Sequence, residues 1–483
     1  MADQQEYVRG LVKKARKAQK IAEGYDQRKV DALCEAVAYA CVDSEFRKKT
    51  ADMLFQESNM GNAEDKFQKI RNKTLSVYNE MKKEKSVGII DTDSEKQLAT
   101  YIKPIGVVGA ITPVTNGEST IIVKTLWTLK SRNALIISPH RRAKQTASFI
   151  ASYIREVLRQ LGEPEDLIQV IDVAHCGRET AAEMMKQCDF VIATGGSGLV
   201  KAAYASGTPA IGVGAGNATV YIDTSADIKD FAKKLKISQS FDNSSSCSSE
   251  NNLICHKAVY DELLHALQEN KGFLIREDSP EKARLIHTIW PEWPQTDSLS
   301  RLTPAKSAVE IAELANIDVP EDTMYLIVEE TKGYGKGFVT TGEKLCPVVS
   351  LLKAECFGQA KEMMQEILAY QGEGHSCGIF TADEAQIEKL AEEIHVSRIL
   401  VNQPQSMGNA GAYFNGMPST NSLGCGTWGG NSSCRNITWR DLTNTTTVSR
   451  YLEGRKPLQE EEVFSKEMIN SNLVNQIKLK IWG

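Results

Sequence analysis

The chain is 483 residues long, 41% hydrophobic and 25% charged, with a net charge of −5 at pH 7, which leaves room for two or three globular domains of about 150 residues each. A mildly acidic chain with no face-wide basic stretch points away from nucleic acid as its main partner. The charged N-terminal segment does not read as a secretory signal, and no apolar run approaches the roughly 18 residues of a membrane span. Eleven cysteines without paired spacing suit reduced thiols in the cytoplasm better than a disulfide framework. With neither CxxC nor HExxH present, nothing asks for a metal.

Residues 5 to about 82 read as helices, because Tyr7, Leu11, Ala15 and Ala18, then Val30, Leu33, Ala36, Val37 and Ala40, recur at helical spacing. Gly61 and Asn62 mark a stop before a helix over 63–83, whose charged faces read as solvated surface. From about residue 86 the pattern changes. Short strands are expected over 86–90 and 98–103, then an apolar, Gly-spaced strand over 105–112 that Pro113 ends. Strands over 133–138, 167–173, 190–194 and 220–223 alternate with helices over 120–130, 143–161, 179–186 and 199–206. This alternation predicts βαβ units and a parallel sheet covered on both faces. Two Gly-rich turns interrupt it. The first, Thr194-Gly195-Gly196-Ser197-Gly198, opens a helix, where backbone amides attract phosphate, although it is not the GxGxxG fingerprint. The second, 207–217, reads as a tight crossing or a close approach to a ligand. Beyond residue 250, helices over 261–270, 305–314, 360–370 and 384–394 alternate with strands over 323–328, 347–352, 378–380 and 399–401, a second α/β unit. Residues 402–436 read as an ordered Gly/Asn/Ser-rich loop, 438–452 as a strand or extended arm, and the tail from Gly454 as peripheral helix.

Between the two units lies 238–254, SQSFDNSSSCSSENNLI, with Cys247 among five serines. Short polar side chains there compete for the backbone and disfavour helix and strand. The thiol is expected on a loop that enters a buried strand. Such a thiol is either a nucleophile, reachable and surrounded by donors, or a buried structural cysteine. Glu250, three residues along the entering strand, need not face it.

Taken with ITPVTN (111–116), SRNALIISPHRRAK (131–144), TGGSGLVKAAYASGTPAIGVGAGN (194–217), SCSSEN (246–251), EKLCP (343–347) and GEGHSCGI (372–379), the chain resembles the CoA-acylating branch of the aldehyde dehydrogenase superfamily from its N-terminal helices to about residue 450. Within it, AAYASGTPAIGVGAGN, FDNSSSCSSEN and RNITW lean toward members acting on sulfoacetaldehyde, then toward succinate semialdehyde and acetaldehyde enzymes.

The resemblance implies an α/β fold of two parallel-sheet domains, a Rossmann-like cofactor domain (1–237) and a catalytic domain (238–430), followed by an oligomerisation arm and tail (431–483). It implies oxidation of a short anionic aldehyde, sulfoacetaldehyde first, to a CoA thioester with NADP or NAD, NADP being favoured. The alternatives are the succinate semialdehyde or acetaldehyde reaction, a non-catalytic nucleotide-binding protein of the same fold, and hydrolytic oxidation to the free acid. Cys247 would be the nucleophile, Asn116 the oxyanion donor and His375 a proton carrier at the thiol or the CoA step. Hydrolytic relatives place a water-activating glutamate where this chain has Gly212-Val-Gly-Ala-Gly-Asn217, so its loss favours acylation over hydrolysis. Glu343 would hold the nicotinamide ribose. Thr112, Pro113, Ser138, Thr194, Gly195, Ser197, Gly214 and Gly216 would line the dinucleotide, and His140 and Arg141 would accept a 2′-phosphate. Ser246, Ser248 and Arg435 are substrate candidates. Self-association to a dimer or tetramer is expected, with the arm at 438–452.

Overall fold

Four helices precede the first strand: α1 (Ala2–Glu23), α2 (Gln27–Cys41), α3 (Ser44–Ser58) and α4 (Ala63–Met81). In this computed structural model residues 2–482 are described, the side chains of Ala2 and Ser197 excepted. Asp26, Asp43 and Asn62 cap α2, α3 and α4 by accepting backbone N–H groups of the first turn. Glu64 and Asp65 then sit at the positive end of the α4 dipole.

The strands follow as β1 (Gly88–Asp93), β2 (Leu98–Pro104), β3 (Val107–Ile111), β4 (Ala134–Ser138), β5 (Ile168–Val170), β6 (Phe190–Thr194), β7 (Ala210–Val213), β8 (Ala218–Ile222), β9 (Glu250–His256), β10 (Gly272–Ile275), β11 (Tyr325–Glu330), β12 (Val348–Ala354), β13 (Cys377–Phe380), β14 (Ile399–Val401) and β15 (Thr443–Ser449). Helix α5 (Gly117–Lys130) joins β3 to β4, α6 (Lys144–Gln160) precedes β5, α7 (Arg178–Gln187) precedes β6, α8 (Ser197–Tyr204) precedes β7, and α9 (Ile228–Ser240) leads to the Cys247 loop.

Two compact units result. One holds the residues up to Ser86 and Lys103–Asn444; the other holds Val87–Ile102 and the residues from Thr445 on. The first unit contains two parallel sheets, β5–β4–β3–β6–β7 and β10–β11–β12–β9–β8–β13–β14. In the first sheet the strand order reverses between β3 and β6, the switch point outside whose carboxyl ends α/β sheets bind ligands. The second sheet is buried on both faces, as parallel sheets require. Val220, Ile222, Leu253 and Ile327 pack on one side, and Tyr221, Ile254, Cys377 and Ile379 on the other. The second unit holds the sheet order β1–β2–β15 and the exposed helical segments Glu460–Val463, Lys466–Ile469 and Leu473–Trp482. No helix among the described residues is long and apolar enough to cross a membrane.

Three sequence expectations change. The Gly-rich stretch 207–217 contains an edge strand, β7, whose Ile211 and Val213 are buried; glycines and Pro209 on either side had masked it. Helix α9, strand β10 and the helix Pro280–Ile289 stand in segments that gave no clear pattern. The charged residues of α4 are not all solvated: Glu64, Arg71 and Glu80 are exposed, but Lys66 is 0% and Lys69 7% exposed.

Candidate active site

Helix α9 ends at Ser240, and the chain then turns through three consecutive left-handed residues, Asp242 (φ 48), Asn243 (φ 53) and Ser244 (φ 52). Each non-glycine residue held there costs about 1 kcal/mol or more unless its surroundings fix it. The surroundings are a buried ion cluster. Asp242 Oδ1 accepts from Lys66 Nζ at 2.9 Å and from the Asn62 amide at 3.0 Å. Its Oδ2 accepts from Lys69 Nζ at 2.6 Å and from Ser245 Oγ at 2.9 Å. Helix α4 therefore grips the loop that presents Cys247.

Cys247 Sγ lies 3.3 Å from His375 Nε2, and His375 Nδ1 lies 2.8 Å from Ser376 Oγ. With its proton on Nδ1, the ring faces the thiol as an acceptor. Burial, with Glu343 and Cys425 nearby, pushes the Cys247 thiol up to about 12 against the opposing pull of Arg398. Burial and then Arg398 push His375 down to about 3, so the imidazole is neutral. Arg398 Nη2 donates to the carbonyls of His375 (2.9 Å) and Gly424 (2.7 Å), holding the histidine segment in place. Gly216 packs against the same loop: a Cβ there would lie 1.9 Å from the Cys247 carbonyl oxygen, so only glycine fits. Glu250 faces away, accepting from Ser238 Oγ at 2.6 Å and the Gln405 amide at 2.8 Å.

Asn116 stands at the start of α5 and makes no side-chain cap. Instead its Oδ1 accepts from Lys69 Nζ at 2.9 Å. With the oxygen so held, the NH₂ is the end left to donate. Lys69 is also paired with Glu118 at 3.0 Å.

Both residues open onto a cavity of about 1360 Å³. Of the residues read from sequence, Cys247, Asn116, Ser246, Ser248, Thr112, Pro113, Ser138, His140, Arg141, Thr194, Gly195, Gly214 and Glu343 line it. It runs along the carboxyl ends of β3, β4, β6 and β7. Thr112 Oγ1 is buried without a hydrogen-bond partner among the described residues. Lys124, pushed down to about 7 by burial, donates to Thr194 Oγ1 at 3.0 Å and steadies that turn. Glu343 Oε1 accepts from the Gly216 amide at 3.1 Å; burial pushes its carboxyl up to about 7, with that amide pulling the other way. His140 Nδ1 accepts from the Arg142 amide, and burial followed by its two arginine neighbours lowers its pKa. Arg142 is turned toward the Ser58 carbonyl, which leaves Arg141 as the cation of this group on the cavity wall.

Arg435 is not brought to the site. It is exposed and pairs with Asp441 at 2.8 Å, and it does not line the cavity. The side chain of Ser197 lies outside the described residues. What the sequence reading missed is α4, whose Lys69, Asn72, Lys73 and Ser76 line the cavity. The signal was available: these positions are i, i+3, i+4 and i+7 of one helix face.

A thiol beside a neutral histidine, with a side-chain amide on the same cavity at the carboxyl edge of a parallel sheet, is the arrangement the fold assembles. The chain belongs to the aldehyde dehydrogenase family, whose profile matches residues 1–281. It is 41% identical over 438 residues to the sulfoacetaldehyde dehydrogenase (acylating) of Bilophila wadsworthia, covering 90% of this chain and 93% of that one. It is 36% identical over 458 residues to the succinate-semialdehyde dehydrogenase (acetylating) of Clostridium kluyveri, covering 95% and 98%. Its fold is similar to the crystal structure of an acetylating aldehyde dehydrogenase from Geobacillus thermoglucosidasius, with a TM-score of 0.89, 34% identity, and 95% and 99% of the two chains covered.

Proposed function

We propose that this enzyme oxidises a short aldehyde with an anionic tail, sulfoacetaldehyde first, to its CoA thioester, with NADP⁺ or NAD⁺ reduced. The observation that carries the reading is the Cys247–His375 contact at 3.3 Å, set in a cavity where the segment from Gly212 to Asn217 offers no carboxylate to activate water.

In the forward direction the Cys247 thiol adds to the aldehyde carbon while His375 Nε2 takes its proton. Asn116 Nδ2 and the Cys247 amide hold the developing oxyanion; such donors contribute about 3 kcal/mol each in other enzymes. Collapse of the adduct expels a hydride and leaves a thioester on Cys247. A bound nicotinamide dinucleotide would accept that hydride, and its cationic ring would favour the thiolate. The unpartnered Thr112 Oγ1, the Thr194–Gly196 turn and Gly214 fit such a dinucleotide, and Glu343 suits its ribose hydroxyls. Arg141 supports the 2′-phosphate of NADP more than a bare hydroxyl. With the first proton passed on to solvent, His375 takes the proton of the CoA thiol as that sulfur attacks the thioester and hands it to the departing Cys247 sulfur. The sum is aldehyde, CoA thiol and NADP⁺ giving acyl-CoA, NADPH and a proton.

In this reading residues 1–237 serve the nucleotide, 238–430 the thiol chemistry, and the arm within 431–483 pairs subunits into a dimer or tetramer through its edge strand β15. The eleven free cysteines suit the reducing cytoplasm.

NADPH formation is to be followed with sulfoacetaldehyde, succinate semialdehyde and acetaldehyde, each with and without CoA. CoA-dependent turnover is expected, fastest with sulfoacetaldehyde. Preference for succinate semialdehyde would replace the substrate and keep the mechanism; turnover without CoA would overturn the acylating reading.

Glu343 gives a pH signature. Its raised pKa means it is protonated below about 7 and ionised above. A carboxylate accepts ribose hydroxyls about twice as strongly as a neutral acid, so the KM for NADP⁺ is expected to fall roughly tenfold between pH 6 and 8. Glu343→Gln should show a high KM with no such slope. A wild-type KM independent of pH would remove Glu343 from the cofactor site.

A further inference from the structure

Helix α4 presents two lysines to the active-site cavity, and only one is neutralised. Lys69 is committed to Asp242, Glu118 and Asn116. Lys73, one turn or about 5.4 Å further along the helix, donates to the backbone carbonyls of Ala410 at 2.7 Å and Gly411 at 3.2 Å. Among the described residues no carboxylate lies within ion-pair distance of it. The acid about two turns away, Glu80, is occupied by the Ser419 amide at 2.9 Å and its hydroxyl at 2.5 Å.

We propose that Lys73, with Asn72 beside it, is the subsite that binds the anionic tail of the aldehyde. This rests on the acylating reading above and names its specificity determinant. An ammonium has three N–H donors, and the two carbonyls use two, so one remains for an incoming sulfonate or carboxylate oxygen. Burial pushes Lys73 down to about 8 against the opposing pull of Glu80, with Lys69 adding to the fall, so the charge is held at a cost that an anion would remove. The placement agrees. Lys69 holds Asn116, the oxyanion donor of the proposed mechanism, and Lys73 stands one turn further along the wall of the same cavity. Asn72 lies beside it on that face and Ser76 one turn beyond, both lining the cavity. Arg71 also reaches the cavity wall, but it is exposed, so water screens its charge.

The test compares kcat/KM for sulfoacetaldehyde with that for propionaldehyde, and measures ethanesulfonate binding to the NADP⁺-loaded enzyme by calorimetry. In Lys73→Met the sulfoacetaldehyde-to-propionaldehyde ratio is expected to fall about 30-fold, the usual worth of a charge-assisted bond, and ethanesulfonate binding to weaken similarly. Lys73→Arg should retain most of both. If the methionine variant does not fold, Lys73→Gln, which still donates to the Ala410 carbonyl, replaces it. An unchanged ratio, or a loss in Arg71→Gln instead, overturns the assignment. If wild-type enzyme turns over neither aldehyde with CoA, the functional reading fails; the ethanesulfonate titration still decides the subsite, since equal binding to wild type and Lys73→Met overturns it.

Discussion

Cys247→Ala should lower CoA-dependent aldehyde oxidation by at least about 10⁴-fold, because covalent capture has no substitute in the cavity. The same residue should nevertheless be a poor target for alkylation in the resting enzyme. Its thiol is pushed up to about 12 by burial, Glu343 and Cys425, and its histidine, held near 3, is too weak a base to store the proton. At pH 7 the thiolate fraction is then roughly 10³-fold below that of a free cysteine with a pKa of about 8.5. Iodoacetamide labelling mapped by mass spectrometry should therefore mark the exposed Cys356 and Cys434 well before Cys247. Cys247 labelling should rise tenfold per pH unit. Labelling of Cys247 ahead of Cys356 at pH 7 would mean that the resting thiol is already activated, and that its activation does not await the cofactor.

That division between a legible cysteine and a hidden environment runs through the whole chain. Cys247 stood out because its serine-rich flanks refuse regular structure, and β3, β4 and β6 because buried parallel strands leave continuous apolar runs. Strand β7 escaped notice because its four residues lie among glycines, whereas α5 was read over 120–130 although every one of its residues is buried, which erases the amphipathic period. The lining of the cavity was legible where a short motif marked it, as with Asn116 or Glu343. It was illegible where partners are distant in sequence. Nothing local to Lys69 announces that it will hold both Asn116 and Asp242, 47 and 173 residues away. A lysine-rich helix reads as solvated surface until tertiary structure buries it. Arg435 is the converse: a charge beside a suggestive motif that the fold leaves in solvent, paired with Asp441.

Removing the carboxylate at the centre of that cluster should cost more stability than any other single change near the site. Asp242→Ala leaves Lys66, 0% exposed, with no carboxylate among its described partners, and strips the Asn62 amide and Ser245 hydroxyl of their acceptor. Breaking a buried pair in this way costs about 3–5 kcal/mol. The left-handed turn at Asp242, Asn243 and Ser244 loses its clamp at the same time, so Cys247 should drift from His375 and activity should fall beyond what unfolding explains. The pH sign follows from the cluster. Burial alone would raise the Asp242 pKa, but Lys69 and Lys66 outweigh it and bring the pKa below its ordinary value. A depressed carboxylate contributes stability that is fully present above its unfolded pKa of about 3.9 and is lost as pH falls through the folded value. Wild type should therefore lose stability steeply below about pH 4, and Asp242→Ala less so. Lys66→Met should cost less in the Asp242→Ala background than in wild type, since the pair is then already broken. Urea midpoints for the four proteins at pH 7 measure the coupling; additive costs would mean that the ion cluster does not hold the Cys247 loop.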